Sequence, residues 1–391
     1  MNPTRFATAI RQFSKERGGT ERYLVGLCNR MTEEGFEVHV FTERWNEENP
    51  KIHFHPVRTI PFPKSLRLLS FAVRATREIE KGHYHLSLGV GHTLRADVFQ
   101  PHGGVHWAWF WRSLQAYDHR VPWILRFFGR ILNPGQWVSG WIEGAPFRQK
   151  ESCKIIAISE MVKEDILRRY AIPEEKIVVI YNGVDIKRFH PENRRHREEV
   201  RRRHGIGDEF VLLFVSNNFR MRGLDHLLRA LADIKKEISS PFRLIVLGRD
   251  RKGPYLRLAK RLDLTQEVVF AGPTKEPEKY YGAADLFVHP SFYDACSLAL
   301  LEALASGLPV VTSASTGASG ILDQPGEGTV IENPVDGRAL KAAISQFVDE
   351  NVRCRVSQQA RRKAEAYSEQ ESFGKVMNVF RKTLENHGSF L

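Results

Sequence analysis

Cysteine is scarce: four in 391 residues, Cys28, Cys153, Cys296 and Cys354, far apart and with no CxxC spacing among them. That excludes a disulfide scaffold and the common zinc modules, and it suits a reducing compartment, so a cytoplasmic location is expected. Long apolar runs are missing too. Phe210–Val215 is among the longest, strand-sized and well short of the ~18 residues that a membrane-spanning helix needs. The first stretch carries Arg5, Arg11, Lys15, Glu16 and Arg17 without an apolar core, so a secretory signal is not expected. Acidic residues are the scarcer sign, 46 against 58 Lys and Arg, for a net charge of +12 with His neutral. A basic excess favours anionic partners, namely nucleic acid, phosphorylated sugars or a phospholipid surface, unless it is simply a solvated face. Helix-turn-helix, RNP and zinc patterns are absent, so nucleic-acid binding is not expected. No DxD or metal-ligand cluster stands out either.

What is present is globular. At 42% hydrophobic and 27% charged the chain has too much apolar material for disorder. At ~150 residues per domain its length predicts two or three domains. Strand-like runs alternate with amphipathic helices, which implies an α/β chain with parallel sheets. Phe6–Phe13 reads as a strand, with Gly18 and Gly19 as punctuation and Thr20 as the cap of a helix carrying Leu24, Leu27, Cys28 and Met31 on one face. Glu37–Thr42, Leu86–Val90, Ala96–Phe99, Lys154–Ser159 and Lys176–Ile180 read as further strands. The arginine-rich stretch NRRHREEVRRRHGIG reads as a connector or a solvated helix. It places a first domain at 1–190 and a second at 191–370. A second series follows, with strands at Phe210–Ser216, Arg243–Leu247, Val268–Ala271, Leu286–His289 and Pro309–Thr312. Residues 371–391 form a last helix with Phe373, Val376, Met377, Phe380 and Leu384 on one stripe. Two Rossmann-like halves fit this rhythm.

One segment breaks it. Six of the seven tryptophans, Trp107, Trp109, Trp111, Trp123, Trp137 and Trp141, fall in an insertion at about 105–148, interleaved with Arg112, Arg120, Arg126 and Arg130. Trp and Arg together suit a lipid headgroup boundary. The same residues also suit a helical insertion packed on the first sheet. Both readings stand on sequence alone.

The densest chemistry lies in FVHPSFYDACSLALLEALASGLPVVTS. A strand ends in a Pro-Ser loop, Asp294 follows, a helix begins near Ser297, and Glu302 sits within it. Ligands of open α/β sheets bind at the carboxyl ends of strands, and a helix N-terminus there offers N–H groups to a diphosphate. A carboxylate can accept two hydrogen bonds from a vicinal diol such as ribose, which suits Glu302. Arg220 and Arg222 follow the strand Phe210–Ser216 at a helix start, where a cation is disfavoured unless an anion joins it. Gly18 and Gly19 form a bare strand-to-helix turn that backbone phosphate contacts can use. His102 and His106 flank a second glycine pair in QPHGGVHW.

The Asp294-x7-Glu302 spacing, RGGTERYL, AISEMVKEDILRRYAIPEEKIVVIYNGVDIKRFHP and YYGAADLFVHPS together resemble retaining GT-B glycosyltransferases of family 4 over nearly the whole chain. PHGGVH and the aromatic insertion resemble the lipopolysaccharide core glucosyltransferase I type. The resemblance implies two Rossmann-like domains facing a central cleft, with the last helix crossing back to the first domain. It implies a nucleotide sugar as co-substrate, no metal and no other cofactor. Glu302 would hold the ribose and Asp294 the hydroxyls of the donor sugar. The N–H groups of Ser297, Leu298 and Ala299 would meet the distal phosphate, and Arg220 and Arg222 the departing diphosphate. His102, with His106 close behind, would lie near the donor sugar, and Gly18 and Gly19 would complete the donor site. Two positions depart from the family: Arg222 stands where Lys is usual, and Asp294 where Glu is usual. No second carboxylate stands out as a covalent nucleophile, and the resemblance implies front-face substitution, moving a hexose, glucose from UDP-glucose, to a heptose of the lipopolysaccharide inner core. The acceptor would bring the enzyme to the cytoplasmic face of the inner membrane as a peripheral protein. Another glycolipid or exopolysaccharide acceptor, another nucleotide sugar, and a nucleotide-sugar epimerase are the alternatives.

Overall fold

Two runs of alternating strands and helices build two parallel sheets in the computed structural model, which describes residues 3–16, 18–117, 123–149, 153–237, 240–323, 326–386 and 388. Contacts divide the chain into two units. The first is Met1–Leu114, Asp118–Tyr181 and Phe373–Leu391, and the second is Gln115–Tyr117 and Asn182–Ser372. Among the described residues no helix is long and apolar enough to cross a membrane.

The first unit holds strands β1 (Arg5–Ala9), β2 (Glu37–Thr42), β3 (Ile52–Pro56), β4 (Leu86–Gly89), β5 (Val98–Phe99), β6 (Lys154–Ala157) and β7 (Ile177–Val179). They pair in the order β3-β2-β1-β4-β5-β6-β7, all parallel. Residues 12–13 form a separate two-residue ladder with 44–45 rather than extending β1. Its helices are α1 (Gly19–Glu33), α2 (Lys64–Lys81), α3 (His106–Gln115), α4 (Trp123–Ile131), α5 (Pro134–Phe147) and α6 (Glu160–Arg169). Leu24, Leu27, Cys28 and Met31 of α1 are buried against β1 and β2, as their spacing requires. Thr20 lies inside the first turn, and the extended residue Gly18 occupies the cap position instead.

The second unit holds β8 (Phe210–Val215), β9 (Phe242–Leu247), β10 (Val268–Gly272), β11 (Leu286–His289), β12 (Val310–Ser313) and β13 (Gly328–Ile331), ordered β10-β9-β8-β11-β12-β13. The order reverses direction between β8 and β11, the switch point of a doubly wound sheet. Helices α7 (Arg197–Arg203), α8 (Leu224–Glu237), α9 (Gly253–Arg261), α10 (Pro277–Ala283), α11 (Leu298–Ala305), α12 (Gly337–Ser345) and α13 (Glu350–Glu365) complete it. The apolar runs of β8, β9 and β11 are buried throughout or nearly so, because helices cover both faces. A last helix, α14 (Glu369–Asn386), sends Val376, Met377, Phe380 and Leu384 into the core of the first unit.

The unit boundary falls between Tyr181 and Asn182, ahead of the expected position, and the arginine-rich stretch is a short, largely exposed helix, α7, with one buried face rather than a connector. Arg201 is buried with its guanidinium 2.7 Å from the buried carboxylate of Asp285, and Arg197 bonds the other oxygen at 2.8 Å. Asp285 also accepts Val211 N–H at 2.9 Å, so this charge cluster ties α7 to the start of β8.

Candidate active site

In the second unit the loops following β8 and β11 meet at the switch point. The β8 loop carries Arg220, Arg222 and Gly223, and its course is pinned from the loop after β9: Asp250 accepts Phe219 N–H at 2.7 Å. Gly223 has φ +74°, and a Cβ there would lie 2.2 Å from the carbonyl oxygen of Pro290, so the two loops touch backbone to backbone. Arg222 reaches across this contact. Its guanidinium is 3.2 Å from Asp294 Oδ2 and also donates to Ser291 Oγ and to the carbonyl of Tyr293. Arg220 is exposed, with its guanidinium 4.6 Å from the ring centroid of Tyr117.

Asp294 is therefore already engaged. His289, 1% exposed at the end of β11, bonds its Oδ2 from Nε2 at 3.1 Å. Burial pushes the Asp294 carboxyl up, but the Arg222 charge and the His289 hydrogen bond outweigh it and hold the group below the usual carboxylate range. Burial also pushes the His289 imidazole down, so it stays neutral. Asp294 is fixed by its backbone as well: its N–H donates to Ser315 at 3.0 Å, and its carbonyl accepts Gly317 N–H. Ser297 caps α11 by accepting Leu300 N–H at 3.3 Å. The first-turn N–H groups, including those of Leu298 and Ala299, have no carbonyl within the helix.

Glu302 is 7% exposed, not an ordinary surface helix residue. Its Oε2 accepts the hydroxyl of the buried Tyr281 at 2.8 Å, and that hydroxyl is also 3.1 Å from the Ala299 carbonyl. Arg222, Asp294, Ser297 and Glu302 thus gather on two loops and one helix. Tyr281, His289 and Ser291 support them and were not singled out from sequence, although Tyr281 stands within YYGAADLFVHPS and His289 and Ser291 flank the Pro290 of the same stretch.

The first unit has its own pole at the carboxyl ends of β1 and β5. Gly18 and Gly19 open α1, and no side chain caps that helix. Tyr23, one turn on, donates to Gln100 Oε1 at 3.0 Å and packs its ring 4.1 Å from that of His102. His102 is 8% exposed, burial pushes its imidazole down to about 3, and its Nε2 has no hydrogen-bond partner among the described residues. His106 begins α3, and its N–H donates to Glu143 Oε2 at 2.7 Å. Burial pushes the Glu143 carboxyl up to about 8.

The Trp/Arg insertion does not simply pack as core. Arg112 forks onto the buried Asp165 at 2.8 and 3.0 Å, and Arg130 lies 5.0 Å over Trp109. Yet Trp111, Trp137 and Trp141 are each about half exposed, and Ile124, Leu125 and Phe128 on the outer side of α4, with Leu132 just beyond its end, are 51–75% exposed. Arg120 and the side chain of Trp123 lie outside the described residues.

The family model of group 1 glycosyl transferases matches residues 196–368, and that of Glycosyltransferase Family 4 matches residues 17–188. The chain is 24% identical over 343 residues to the lipopolysaccharide glucosyltransferase WaaG of Escherichia coli K12, spanning 85% of this chain and 87% of that one. The crystal structure of WaaG superposes with a TM-score of 0.80 at 21% identity, over 96% of this chain and 99% of that one. Anabaena Alr3699/HepE in complex with UDP-glucose gives 0.70 at 16% identity, over 97% and 99%.

Proposed function

The chain belongs to the GT-B glycosyltransferases, and from that membership we propose a retaining, metal-independent hexosyltransferase that moves glucose from UDP-glucose to a heptose of the lipopolysaccharide inner core. The observation that carries the reading is the ionised Asp294 held against Arg222 directly before the N-terminus of α11, with Glu302 buried one turn further on. The similarity to a lipopolysaccharide glucosyltransferase supports the acceptor, and the UDP-glucose complex of a structural neighbour supports the donor.

In this reading the ribose diol bonds Glu302, whose carboxylate Tyr281 orients. The distal phosphate meets the first N–H groups of α11 together with Arg220 and Arg222. A diphosphate competes with Asp294 for the Arg222 guanidinium, and Asp294 is then left to accept hydroxyls of the donor sugar. The acceptor hydroxyl oxygen forms the new bond to the anomeric carbon on the face from which the phosphate oxygen leaves. The bond from the anomeric carbon to that phosphate oxygen breaks with its electron pair going to the phosphate, and the phosphate oxygen takes the hydroxyl proton. The protein contributes positioning and charge stabilisation. In the first unit, His102 with His106 behind it is assigned to sugar hydroxyls, and the bare turn Gly18-Gly19 to phosphate oxygens, as a polar site of that unit. The exposed Trp/Arg surface of α3 to α5 is assigned to an anionic lipid surface, at which the acceptor is presented.

The test is calorimetric binding of UDP, ADP, GDP, UDP-glucose and ADP-heptose to the wild type and to Glu302→Ala. One nucleotide should bind tightly and lose that affinity in the variant. A folded wild type that binds none of them overturns the reading, and epimerisation of the donor without an acceptor replaces it with an epimerase. Vesicles test the lipid assignment: the protein should sediment with anionic vesicles and not with neutral ones.

A further inference from the structure

On the sheet of the first unit, at the amino ends of its strands, three imidazoles and a carboxylate share one face of β2 and β3. Side chains two apart on a strand point the same way. Glu37 and His39 are therefore neighbours on β2, and His53 and His55 on β3. The register sets His39 directly beside His53. The opposite face of the same two strands, Val38, Val40, Ile52 and Phe54, belongs to the hydrophobic core, so a slip of register is forbidden and the polar set is held in place.

The contacts within the set are close. His39 Nε2 lies 2.8 Å from Glu37 Oε1, and His39 Nδ1 lies 2.9 Å from His55 Nε2. The rings of His39 and His53 stack with centroids 4.8 Å apart. One donor atom each from Glu37, His39 and His53 falls within 4.8 Å of the others. His39 is 6% exposed and fixed, while His53 is exposed and can swing.

We propose that Glu37, His39 and His53 form a binding site for a divalent transition-metal ion of the zinc class, with His55 as the outer partner of His39. The donor set is two imidazoles and a carboxylate, a borderline set that suits zinc rather than magnesium or calcium. Tetrahedral ligands at ~2.0–2.1 Å from zinc stand about 3.3 Å apart. The Glu37–His39 pair is already inside that spacing, so the metal replaces the proton between them and the exposed His53 closes from one side, water taking the fourth position. His55 accepts the Nδ1 proton of His39 and leaves Nε2 to the metal, the arrangement that orients most metal-bound histidines. Arg5, 3.7 Å from Glu37, is the competing cation. The site joins the edge strand β3 to its neighbour, at the end of the sheet opposite Gly18 and His102, and takes no part in the transfer reaction.

The full-length protein is titrated with zinc chloride against a chromogenic chelator, and the cobalt form is read by its visible absorption. One saturable site with nitrogen-ligand bands is expected, weakened roughly tenfold or more in His53→Gln and in His39→Gln. Zinc should raise the Tm of the wild type and not that of His53→Gln, and Arg5→Gln should bind zinc more tightly. Because His39 is buried, the exposed His53 variant carries the test if His39→Gln does not fold. Absence of stoichiometric binding, or equal affinity in His53→Gln, overturns the proposal and places any zinc on other histidines.

Discussion

Arg222→Gln separates the two roles that the switch point gives this arginine, counter-ion of Asp294 and stabiliser of a departing phosphate. The pair is 3.2 Å apart with side chains 24% and 14% exposed. An exposed pair contributes ~0–1 kcal/mol, and breaking a fully buried one costs ~3–5. A partly buried pair with two further donations to the β11 loop falls between, at about 2 kcal/mol. For a unit of this size that lowers the Tm by about 4–8 °C. Asp294→Asn strands the other charge and costs a similar amount. The double variant strands neither, so the cycle should return a coupling of about 1–2 kcal/mol.

The acid limb supplies a second readout of the same pair. The carboxyl of Asp294 is held low, so the stability it contributes is present above its unfolded value of about 3.9 and is lost as pH falls through the folded one. That loss should shrink in Arg222→Gln. Turnover provides the contrast. If Arg222 faces the diphosphate, kcat falls by about 10²–10³ in Arg222→Gln, and the double variant does not recover it although its stability does. Differential scanning calorimetry from pH 3 to 7, with a donor-consumption assay on the same samples, reads both. Additive stabilities together with near-wild-type turnover in Arg222→Gln would refute both roles.

Gly223→Ala forces a left-handed residue to carry a Cβ against the Pro290 carbonyl; a loss of at least ~2 kcal/mol and of nucleotide affinity is expected, read by thermal shift and calorimetry. His102 is buried neutral with its imidazole pushed down to about 3, so the stability it contributes is full above the unfolded value and is lost as pH falls below it. Between pH 6.5 and 5 that amounts to about 2 kcal/mol, and a Tm series on His102→Gln should show a flatter slope there. Glu143 has the opposite sign. Its carboxyl is raised to about 8, so its contribution is full below the unfolded value and is lost as pH rises toward 8. By pH 7 the loss is about 3 kcal/mol. Glu143→Gln should hence overtake the wild type in Tm at pH 8, whereas Glu143→Leu, which leaves His106 N–H without its acceptor, should fall below it.

Five of the six strands of the second unit were legible because burial on both faces writes them as apolar runs; Leu286–His289 matches the expected bounds, and the other four differ by one residue at one or both ends. The elements that escaped are those whose letters are polar for a tertiary reason. Ile52–Pro56, spelled IHFHP, is an edge strand whose histidines face other histidines, and nothing local marks it as a strand. Gly328–Ile331 is short and pairs with β12 so tightly that a Cβ at Gly328 would sit 2.1 Å from the Val310 carbonyl, a demand invisible along the chain.

The candidate site shows the same division. Asp294, Ser297 and Glu302 are close in sequence, so one helix start and a spacing of eight residues expose them together. Their supports are not local: Tyr281 meets Glu302 from 21 residues away, and Arg222 meets Asp294 across the two loops that flank the switch point. Arg201 makes the point most sharply. Among ten or so polar letters it reads as a solvated cation, yet it is buried because Asp285, 84 residues on, needs a counter-ion at the base of β8. A buried carboxylate is costly to leave without a counter-ion even when it accepts a strand N–H. Any arginine-rich stretch that precedes a Rossmann-like sheet therefore has to be weighed against the acidic residues that the sheet will bury, before it is read as a linker.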